Sequence, residues 1–381
     1  MRKRIAIVHD ALVNMGGAER VVGILHELFP DAPLFTSAYN PKNTYSVFRD
    51  ADTRTTLVQK FAVNEIAVKL MMPICINEMK KFKLNEYDVV ISSAAWCAKN
   101  IFPREDALYI CYCYAPFRLL WNSEHYLKNK FLRKIMKKNL EKLRRHDFES
   151  AQRVKYFLTS CENTAKKIKD CYNRDAQVLY PPIDIKRFIV SNRLDNYFLT
   201  VSRMVPYKRL DIAIQAFNEL GLPFKIVGDG PQRKTLQRLA RKNIQFLGNV
   251  SDTEIVGLYS RAIAFINTAE EDYGIVSLEA QASGRPVIAY GAGGVLETVV
   301  PINKNLRGDN NIHTGIFFLE QNKDSLIEAV IKFKTTDFDS NAIREHVAKF
   351  DITIFKRKMI DFIREKAALQ NLDVSWIEEY V

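Results

Sequence analysis

Short apolar runs alternate along the chain with longer segments in which apolar residues recur every three or four positions. The first run, at 4–8, is followed by Gly16-Gly17 and then by a helical pattern through residue 28. A strand, a glycine turn and a helix in this order begin a βαβ unit. The apolar runs predict buried strands at 4–8, 87–91, 108–111, 154–158, 176–179, 196–201, 223–227, 244–247, 262–266 and 286–289.

The strand pattern falls into two halves, separated by Pro181 and Pro182, because proline interrupts helices and central strands. Buried strands that alternate with helices indicate parallel, doubly wound sheets. We therefore predict an α/β protein with two Rossmann-like domains, 1–180 and 195–348, facing across a deep crevice that holds the ligands. The helical pattern within 352–381 allows two placements, and we expect it to pack back on the first domain.

Composition narrows the class of protein. The chain has 381 residues, 47% of them hydrophobic, and can bury large cores, which excludes a disordered chain. Lys and Arg exceed Asp and Glu by 12, an excess that suits anionic partners such as nucleic acid, an acidic membrane or a phosphorylated substrate. Recognition-helix and aromatic RNA-binding motifs are missing, so we expect no nucleic-acid partner. With no spanning apolar run, secretory leader or zinc-like cysteine spacing, we expect a cytoplasmic protein.

The first candidate site is an acidic stretch at 270–280, where a predicted strand runs into a helix. Glu271 and Glu279 are separated by seven residues, and Gly274 stands at the helix entrance. A helix start offers unpaired N–H groups to an anion, and carboxylates beside it suit the hydroxyls of a sugar or ribose. By spacing alone, a solvated acidic loop is the simpler interpretation.

The second candidate site is basic. Arg203 and Lys208 follow a predicted strand and could clamp a diphosphate and neutralise it as it leaves. A plain basic loop would show the same pattern.

A third candidate, with Gly16, Gly17 and Glu19, follows the first strand and lacks the dinucleotide pattern G-x-G-x-x-G. A tight βα turn explains it equally well. His9 and Asp10, at the end of that strand, are further crevice candidates.

Taken in order, these motifs resemble the retaining GT-B glycosyltransferases of family 4, and most of all the bacterial mannosyltransferases of O-antigen and exopolysaccharide assembly. The resemblance covers nearly the whole chain. Its motifs are GGAE at 16–19, PPID at 181–184, the Arg203/Lys208 pair, VGDGP at 227–231, FLGNVSD at 246–252 and EEDYGIVSLEAQASGRPVIAYGAGG at 270–294.

The resemblance implies a GT-B fold and the transfer of α-mannose from GDP-mannose to a polyprenyl-diphosphate-linked glycan in lipopolysaccharide O-antigen or exopolysaccharide biosynthesis. A UDP-sugar donor and a nucleotide-sugar epimerase are the alternatives. No metal or other cofactor is implied. The expected location is the cytoplasmic face of the bacterial inner membrane, with an anionic membrane surface and other glycosyltransferases as partners.

The resemblance also assigns roles to individual residues. The catalytic residues are Arg203, Lys208 and Glu271. The donor-binding residues are Asp272, Tyr273, Gly274, Ile275, Val276, Glu279, Gly228 and Val250. The acceptor-binding residues are His9, Gly16, Gly17, Glu19, Tyr114 and Arg118.

One acceptor-side position departs from the family. Tyr114 stands where relatives often carry a histidine. A phenol is a poor base near neutral pH, so a proton-handling role does not carry over to this residue.

Two segments suggest contact with a membrane. Residues 121–146 are dense in lysine and arginine, with apolar residues interleaved at helical spacing. Such a helix suits an anionic bilayer, although a solvated helix packed on its own domain fits as well. The second segment carries Val63, Ile66, Ala67, Leu70 and Met71 and ends at a proline.

Overall fold

The structure is a computed structural model that describes residues 3–61, 64–122, 130–302 and 312–380. Val63 and residues 123–129, which belong to the two predicted membrane segments, lie outside the described residues. The chain forms two compact units. The first is Met1–Pro181 with Thr353–Val381, and the second is Pro182–Ile352.

The first unit is built on a seven-stranded parallel sheet with the order β3-β2-β1-β4-β5-β6-β7. Its two central strands β4 and β5 are buried along their whole length, which is typical of strands covered on both faces of a parallel sheet. The strands are β1 (Lys3–His9), β2 (Leu34–Thr36), β3 (Thr53–Thr55), β4 (Tyr87–Ala94), β5 (Leu108–Cys113), β6 (Tyr156–Thr159) and β7 (Ala176–Val178).

α-Helices lie in four of the six connections between these strands, as is usual for the crossovers of a parallel sheet. The C-terminal helix belongs to this unit, where its Phe355 ring lies 6.2 Å from the Tyr112 ring on β5. The helices are α1 (Gly17–Leu28), α2 (Glu65–Leu70), α3 (Met72–Met79), α4 (Arg118–Trp121), α5 (Lys130–Arg153), α6 (Glu162–Tyr172) and the C-terminal helix α14 (Ile352–Ala368).

The second unit has a six-stranded parallel sheet with the order β10-β9-β8-β11-β12-β13. Its strands are β8 (Phe198–Val201), β9 (Phe224–Val227), β10 (Ile244–Gly248), β11 (Phe265–Asn267), β12 (Val287–Tyr290) and β13 (Gly315–Phe318). Its helices are α7 (Leu210–Leu220), α8 (Arg233–Leu239), α9 (Asp252–Arg261), α10 (Ile275–Ala282), α11 (Val295–Thr298), α12 (Lys323–Lys334) and α13 (Ser340–His346).

Both sheets confirm the predicted parallel, doubly wound architecture. In each sheet the order reverses beside the first strand, between β1 and β4 in the first unit and between β8 and β11 in the second. Ligands of doubly wound proteins bind outside the carboxyl ends of the strands at this reversal. The loops that leave β1, β8 and β11, together with helices α1 and α10 that follow two of them, carry most of the predicted site residues. Among the described residues, no helix is long and apolar enough to cross a bilayer.

Candidate active site

The reversal point of the second sheet brings two of the three predicted catalytic side chains into contact. Lys208 lies in the loop that leaves β8, and Glu271 lies in the loop that leaves β11. The Lys208 ammonium donates to the Glu271 carboxylate over 2.6 Å, and the two side chains are 14% and 16% exposed. Arg203 lies earlier in the first of these loops, with an exposed side chain. The pair is therefore partly desolvated but still reachable from solvent.

The loop after β8 is held in an unusual conformation. A 3₁₀ turn over Pro206–Lys208 ends at Arg209, whose φ of 50° lies in the left-handed region. Few residues other than glycine adopt this region without tertiary support. The Arg209 guanidinium donates to the Asp211 carboxylate, and the Thr268 hydroxyl donates to the Lys208 carbonyl over 2.8 Å.

The acidic loop after β11 packs against the glycine-rich loop after β12. The Gly294 N–H donates to the Glu271 carbonyl over 2.8 Å. A Cβ at Gly293 would collide with that carbonyl, and a Cβ at Gly294 would collide with the backbone of Asp272 and Tyr273. Gly293 and Gly294 therefore let the two backbones approach closely, and this contact fixes the loop bearing Glu271.

The start of α10 supplies the expected helix N-terminus. Gly274 precedes it with φ 85° and ψ 54°, and Ile275 and Val276 form its first turn. The Asn267 amide donates to the Ser277 hydroxyl over 3.3 Å and so ties the end of β11 to this helix. The first N–H groups of α10 therefore follow Glu271 closely along the chain.

Glu279 lies further along α10 and is only 7% exposed. Its carboxylate accepts a hydrogen bond of 3.0 Å from the Tyr259 hydroxyl on α9. A buried carboxylate requires such donors. The structure thus places Glu271 in an ion pair at the loop and Glu279 in a hydrogen bond within the helical layer.

The two remaining donor-side residues lie in loops beyond β9 and β10. Gly228 has φ 116°, and a Cβ there would collide with the Ser202 carbonyl after β8. The Gly228 N–H donates to the Gly248 carbonyl over 2.8 Å. Val250 follows β10, just before Ser251, whose side chain caps α9. Gly228 therefore lets the loops after β8, β9 and β10 pack together.

In the first unit, most of the residues predicted to bind the acceptor lie near the reversal between β1 and β4. His9 Nδ1 lies 3.0 Å from the Ser93 carbonyl, and His9 Nε2 lies 3.8 Å from Glu19 on α1. Burial alone would lower the pKa of His9, but the Glu19 and Asp10 carboxylates and the Ser93 carbonyl more than offset it, and the pKa is raised. The surroundings of His9 therefore favour its imidazolium form more than water does.

Tyr114 completes this group. Its hydroxyl donates to the Ala18 carbonyl over 3.1 Å and lies 2.9 Å from the Ser93 hydroxyl. Burial raises the pKa of Tyr114 well above 10, so the phenol stays neutral near pH 7. Gly16 and Gly17 begin the adjacent helix α1.

Glu19 packs so closely over Gly16 that a Cβ there would collide with its carboxylate. Arg118, the remaining acceptor-side residue, begins α4 with an exposed side chain.

Asp10, the other crevice candidate at the end of β1, is bound by the backbone that follows β4. Its two oxygens accept hydrogen bonds of 2.6 to 3.1 Å from four consecutive backbone N–H groups after β4. These donors belong to Ala95, Trp96, Cys97 and Ala98. With its acceptor capacity used in this way, Asp10 fixes the loop that follows Ser93.

Three site residues escaped the sequence reasoning. Thr268 follows β11 directly and lies two residues past the predicted strand at 262–266, so its position was a usable signal. Tyr259, the partner of Glu279, lies in a helix and gives no local signal. Gln321, which bonds to Thr268 and Arg209, follows β13, a strand that the apolar runs did not predict. Within the described ranges, no group of three or more metal-ligating side chains occurs.

Comparison with known proteins concerns the family and the fold of the chain. The family model described as glycosyl transferases group 1 matches residues 183–350. A GDP-mannose-dependent monoacylated α-(1-6)-phosphatidylinositol monomannoside mannosyltransferase of Corynebacterium glutamicum is 38% identical over 26% of this chain and 30% of its own length. An O-antigen chain mannosyltransferase of Salmonella typhimurium is 28% identical over 43% of this chain and 48% of its own length.

The match to each of these two relatives therefore spans less than half of the relative. Solved structures extend the likeness to the whole fold. The crystal structure of Anabaena HepE in complex with UDP has a TM-score of 0.68 at 16% identity, over 95% of this chain and 100% of that one. Residues 183–350 thus make up a group 1 glycosyltransferase domain, and the two doubly wound sheets are those of the GT-B fold class.

Proposed function

We propose that the protein is a retaining mannosyltransferase that moves α-mannose from GDP-mannose to a polyprenyl-diphosphate-linked glycan in O-antigen or exopolysaccharide biosynthesis. The observation that carries the proposal is the Lys208–Glu271 pair at the reversal point of the donor-domain sheet, beside the start of α10. A cation, a carboxylate and free helix N–H groups together match a nucleotide sugar, which presents hydroxyls beside a diphosphate.

The charges suggest how the transfer is promoted. The bond between the anomeric carbon and the diphosphate oxygen breaks, and the diphosphate keeps the electron pair. Lys208, Arg203 and the first N–H groups of α10 stabilise the negative charge that develops there. Glu271, released from Lys208, accepts hydrogen bonds from sugar hydroxyls.

Retention follows if the acceptor hydroxyl attacks from the face that the diphosphate leaves. The acceptor proton then passes to an oxygen of the departing diphosphate. This route needs no protein base, which fits the neutral phenol of Tyr114. His9 is held by Ser93 and Glu19, and it would serve the acceptor as a hydrogen-bond donor.

The donor is the least constrained part of the proposal. GDP-mannose is supported by the relatives named above, one of which is GDP-mannose-dependent and the other an O-antigen mannosyltransferase. A UDP-sugar is the alternative donor, because a structural neighbour binds UDP. An epimerase has no observation of its own in its favour. No metal is assigned a role.

An acidic membrane surface would bring the enzyme to a lipid-linked acceptor. A row of large apolar side chains is exposed in the first unit, in and around α2 and α3. Exposed cations on α5 add charge that suits anionic lipids. The apolar residues are Leu57, Phe61, Ile66, Leu70 and Ile74, and the cations are Lys137, Lys138, Lys142 and Arg145. Docking on the cytoplasmic face of the inner membrane is part of the proposal.

Thermal protection against a panel of nucleotide sugars tests the donor. A ligand at ~100 times its Kd adds about 2.7 kcal/mol to the free energy of unfolding. We expect GDP-mannose to protect more than UDP-glucose or GDP-glucose, and labelled mannose to reach a polyprenyl-diphosphate glycan. Preferential protection by a UDP-sugar would replace the donor and leave the reaction class intact.

Lys208→Ala tests the site itself. Losing one donor that stabilises developing charge should reduce kcat by ~10²-fold or more. Near-normal turnover by this variant would remove Lys208 from the diphosphate and overturn the mechanism.

A further inference from the structure

We propose that Thr268 and Gln321 form a clamp that positions Lys208 for catalysis. The inference rests on the proposed function, in which Lys208 meets the donor diphosphate. Neither residue belongs to the motifs that suggested the site. Both act on the loop after β8, through contacts made from the loops after β11 and β13.

Thr268 contacts the catalytic loop directly. It follows β11 and is 2% exposed. Its hydroxyl donates to the Lys208 carbonyl over 2.8 Å. This bond fixes the backbone from which the Lys208 side chain extends towards Glu271.

Gln321 uses both ends of its amide. Its Nε2 donates to the Thr268 carbonyl over 2.9 Å, and its Oε1 accepts from the Arg209 guanidinium over 3.3 Å. Arg209 immediately follows Lys208. Gln321 therefore connects Thr268, in the loop after β11, with Arg209, in the loop after β8.

The clamp holds Arg209 in an unfavourable backbone conformation. Arg209 adopts φ 50° and ψ 37°. This left-handed conformation costs free energy for any residue that has a Cβ, and it persists only where the surroundings impose it. Without Gln321, the Arg209 guanidinium keeps the partly exposed Asp211 carboxylate as its one side-chain partner among the described residues. The loop could then relax towards ordinary backbone angles and carry Lys208 with it.

Such a shift would affect the rate of the chemical step more than the folding of the domain. A displacement of about 1 Å at a positioned group can cost ~10²-fold in rate. Lys208 must meet a diphosphate and release Glu271, so its starting position matters for turnover. A merely structural hydrogen bond would affect stability without this selective effect.

Three variants test the clamp. Thr268→Val keeps the shape and removes the hydroxyl, Thr268→Ser keeps the hydroxyl, and Gln321→Ala removes both amide contacts. We expect Thr268→Val and Gln321→Ala to lower kcat by ~10- to 100-fold with little change in donor KM. Thr268→Ser should retain most of the activity.

A neighbouring residue provides the matched control. Asn322 caps α12 through a 2.9 Å bond from the Ser325 N–H, outside the clamp. Asn322→Ala should therefore lower the unfolding temperature of the second unit without lowering kcat. Equal loss of kcat in Asn322→Ala and Gln321→Ala would show that general destabilisation, and not positioning, explains the effect.

The double variant Lys208→Ala/Gln321→Ala separates this inference from the proposed function. If Gln321 acts through Lys208, its removal should add no further loss in the Lys208→Ala background, measured as GDP or UDP affinity by calorimetry and as residual turnover. If Lys208→Ala is impaired while Thr268→Val and Gln321→Ala turn over normally, the clamp is wrong and the function stands. If Lys208→Ala is itself normal, the proposed function fails first.

Discussion

A buried ion pair in the first unit offers a stability test whose sign and size follow from the contacts. Lys99 and Asp147 pair at 1% and 3% exposure. Asp147 also accepts hydrogen bonds of 2.7 Å from the Trp121 indole and 2.8 Å from the Tyr172 hydroxyl. The Lys99 ammonium has one further acceptor, the Trp96 carbonyl at 3.3 Å. The carboxylate is thus the centre of the cluster, and the two partners are not equivalent.

This asymmetry predicts unequal costs. Asp147→Leu leaves a buried ammonium and two buried donors without their acceptor, whereas Lys99→Met leaves a carboxylate that keeps two donors. Breaking a buried pair costs about 3–5 kcal/mol, and each hydrogen bond to a charged group contributes about 1.5–3 kcal/mol. We expect Asp147→Leu to cost at least about 4 kcal/mol and Lys99→Met about 2 kcal/mol less.

The pH dependence gives a second signature. In the native protein burial lowers the pKa of Lys99, but Asp147 more than offsets it, and the pKa is raised. The stability that this charge contributes is lost only as the pH rises through that raised value. In Asp147→Leu the folded state favours the neutral amine, while the unfolded chain still binds the proton at pH 7 to 9. Stability should then rise with pH, by about 1.4 kcal/mol per unit, and Lys99→Met should lack this slope.

Tryptophan fluorescence can isolate the unit concerned. All three tryptophans, Trp96, Trp121 and Trp376, lie in the first unit. Urea titrations followed by tryptophan emission therefore report the unfolding of the first unit separately from that of the second unit. The double variant Lys99→Met/Asp147→Leu should be more stable than Asp147→Leu alone. The reasoning is refuted if Lys99→Met costs as much as Asp147→Leu, or if the Asp147→Leu penalty does not shrink as the pH rises.

Three further predictions concern the candidate site. Because the pKa of His9 is raised, its charge stabilises the folded state below pH ~6.5 and stabilises it less as the pH rises through the pKa of the folded state. The unfolding free energy that His9→Gln loses, measured by urea titration, should shrink over the same pH range. A loss that does not change with pH would contradict this. Gly294→Ala should destabilise the second unit by about 1–3 kcal/mol by circular dichroism, because its Cβ meets backbone, whereas Gly257→Ala, whose Cβ meets open space, should not. Glu279→Gln should weaken nucleotide binding in calorimetry more than Tyr259→Phe, which only removes a donor to that carboxylate; equal effects would make Glu279 a packing residue.

The long central strands were predictable, and the short strands β2 and β3 were not. β4 and β5 are buried throughout, and each contains a run of apolar residues that predicts a strand. β2 and β3 have three residues each, and β3 carries the sequence Thr-Arg-Thr with half-buried side chains. Such segments become strands because a neighbour offers its backbone, as β1 does for β2. Local periodicity over three residues cannot report that pairing.

The same distinction applies to the site. Lys208 and Glu271 each follow a predicted strand, and parallel strands end at one edge, so their proximity could be inferred from the sequence. Gln321 follows β13, which was not predicted, and its contacts with Thr268 and Arg209 cross 53 and 112 residues of chain. A polar side chain of this kind acquires its role only when the strand order is known.

The seven-residue spacing between Glu271 and Glu279 shows why motif and geometry must be combined. The spacing alone did not assign a role to either carboxylate; the family resemblance made Glu271 catalytic and Glu279 donor-binding. In the structure, Glu271 lies before α10 and pairs with a cation, whereas Glu279 lies within it and accepts from a buried phenol. A loop carboxylate can exchange its partner for a ligand at little cost, whereas a carboxylate inside a packed layer is costly to leave without its donor. Turnover should therefore depend on exchange at Glu271, and binding on the fixed position of Glu279.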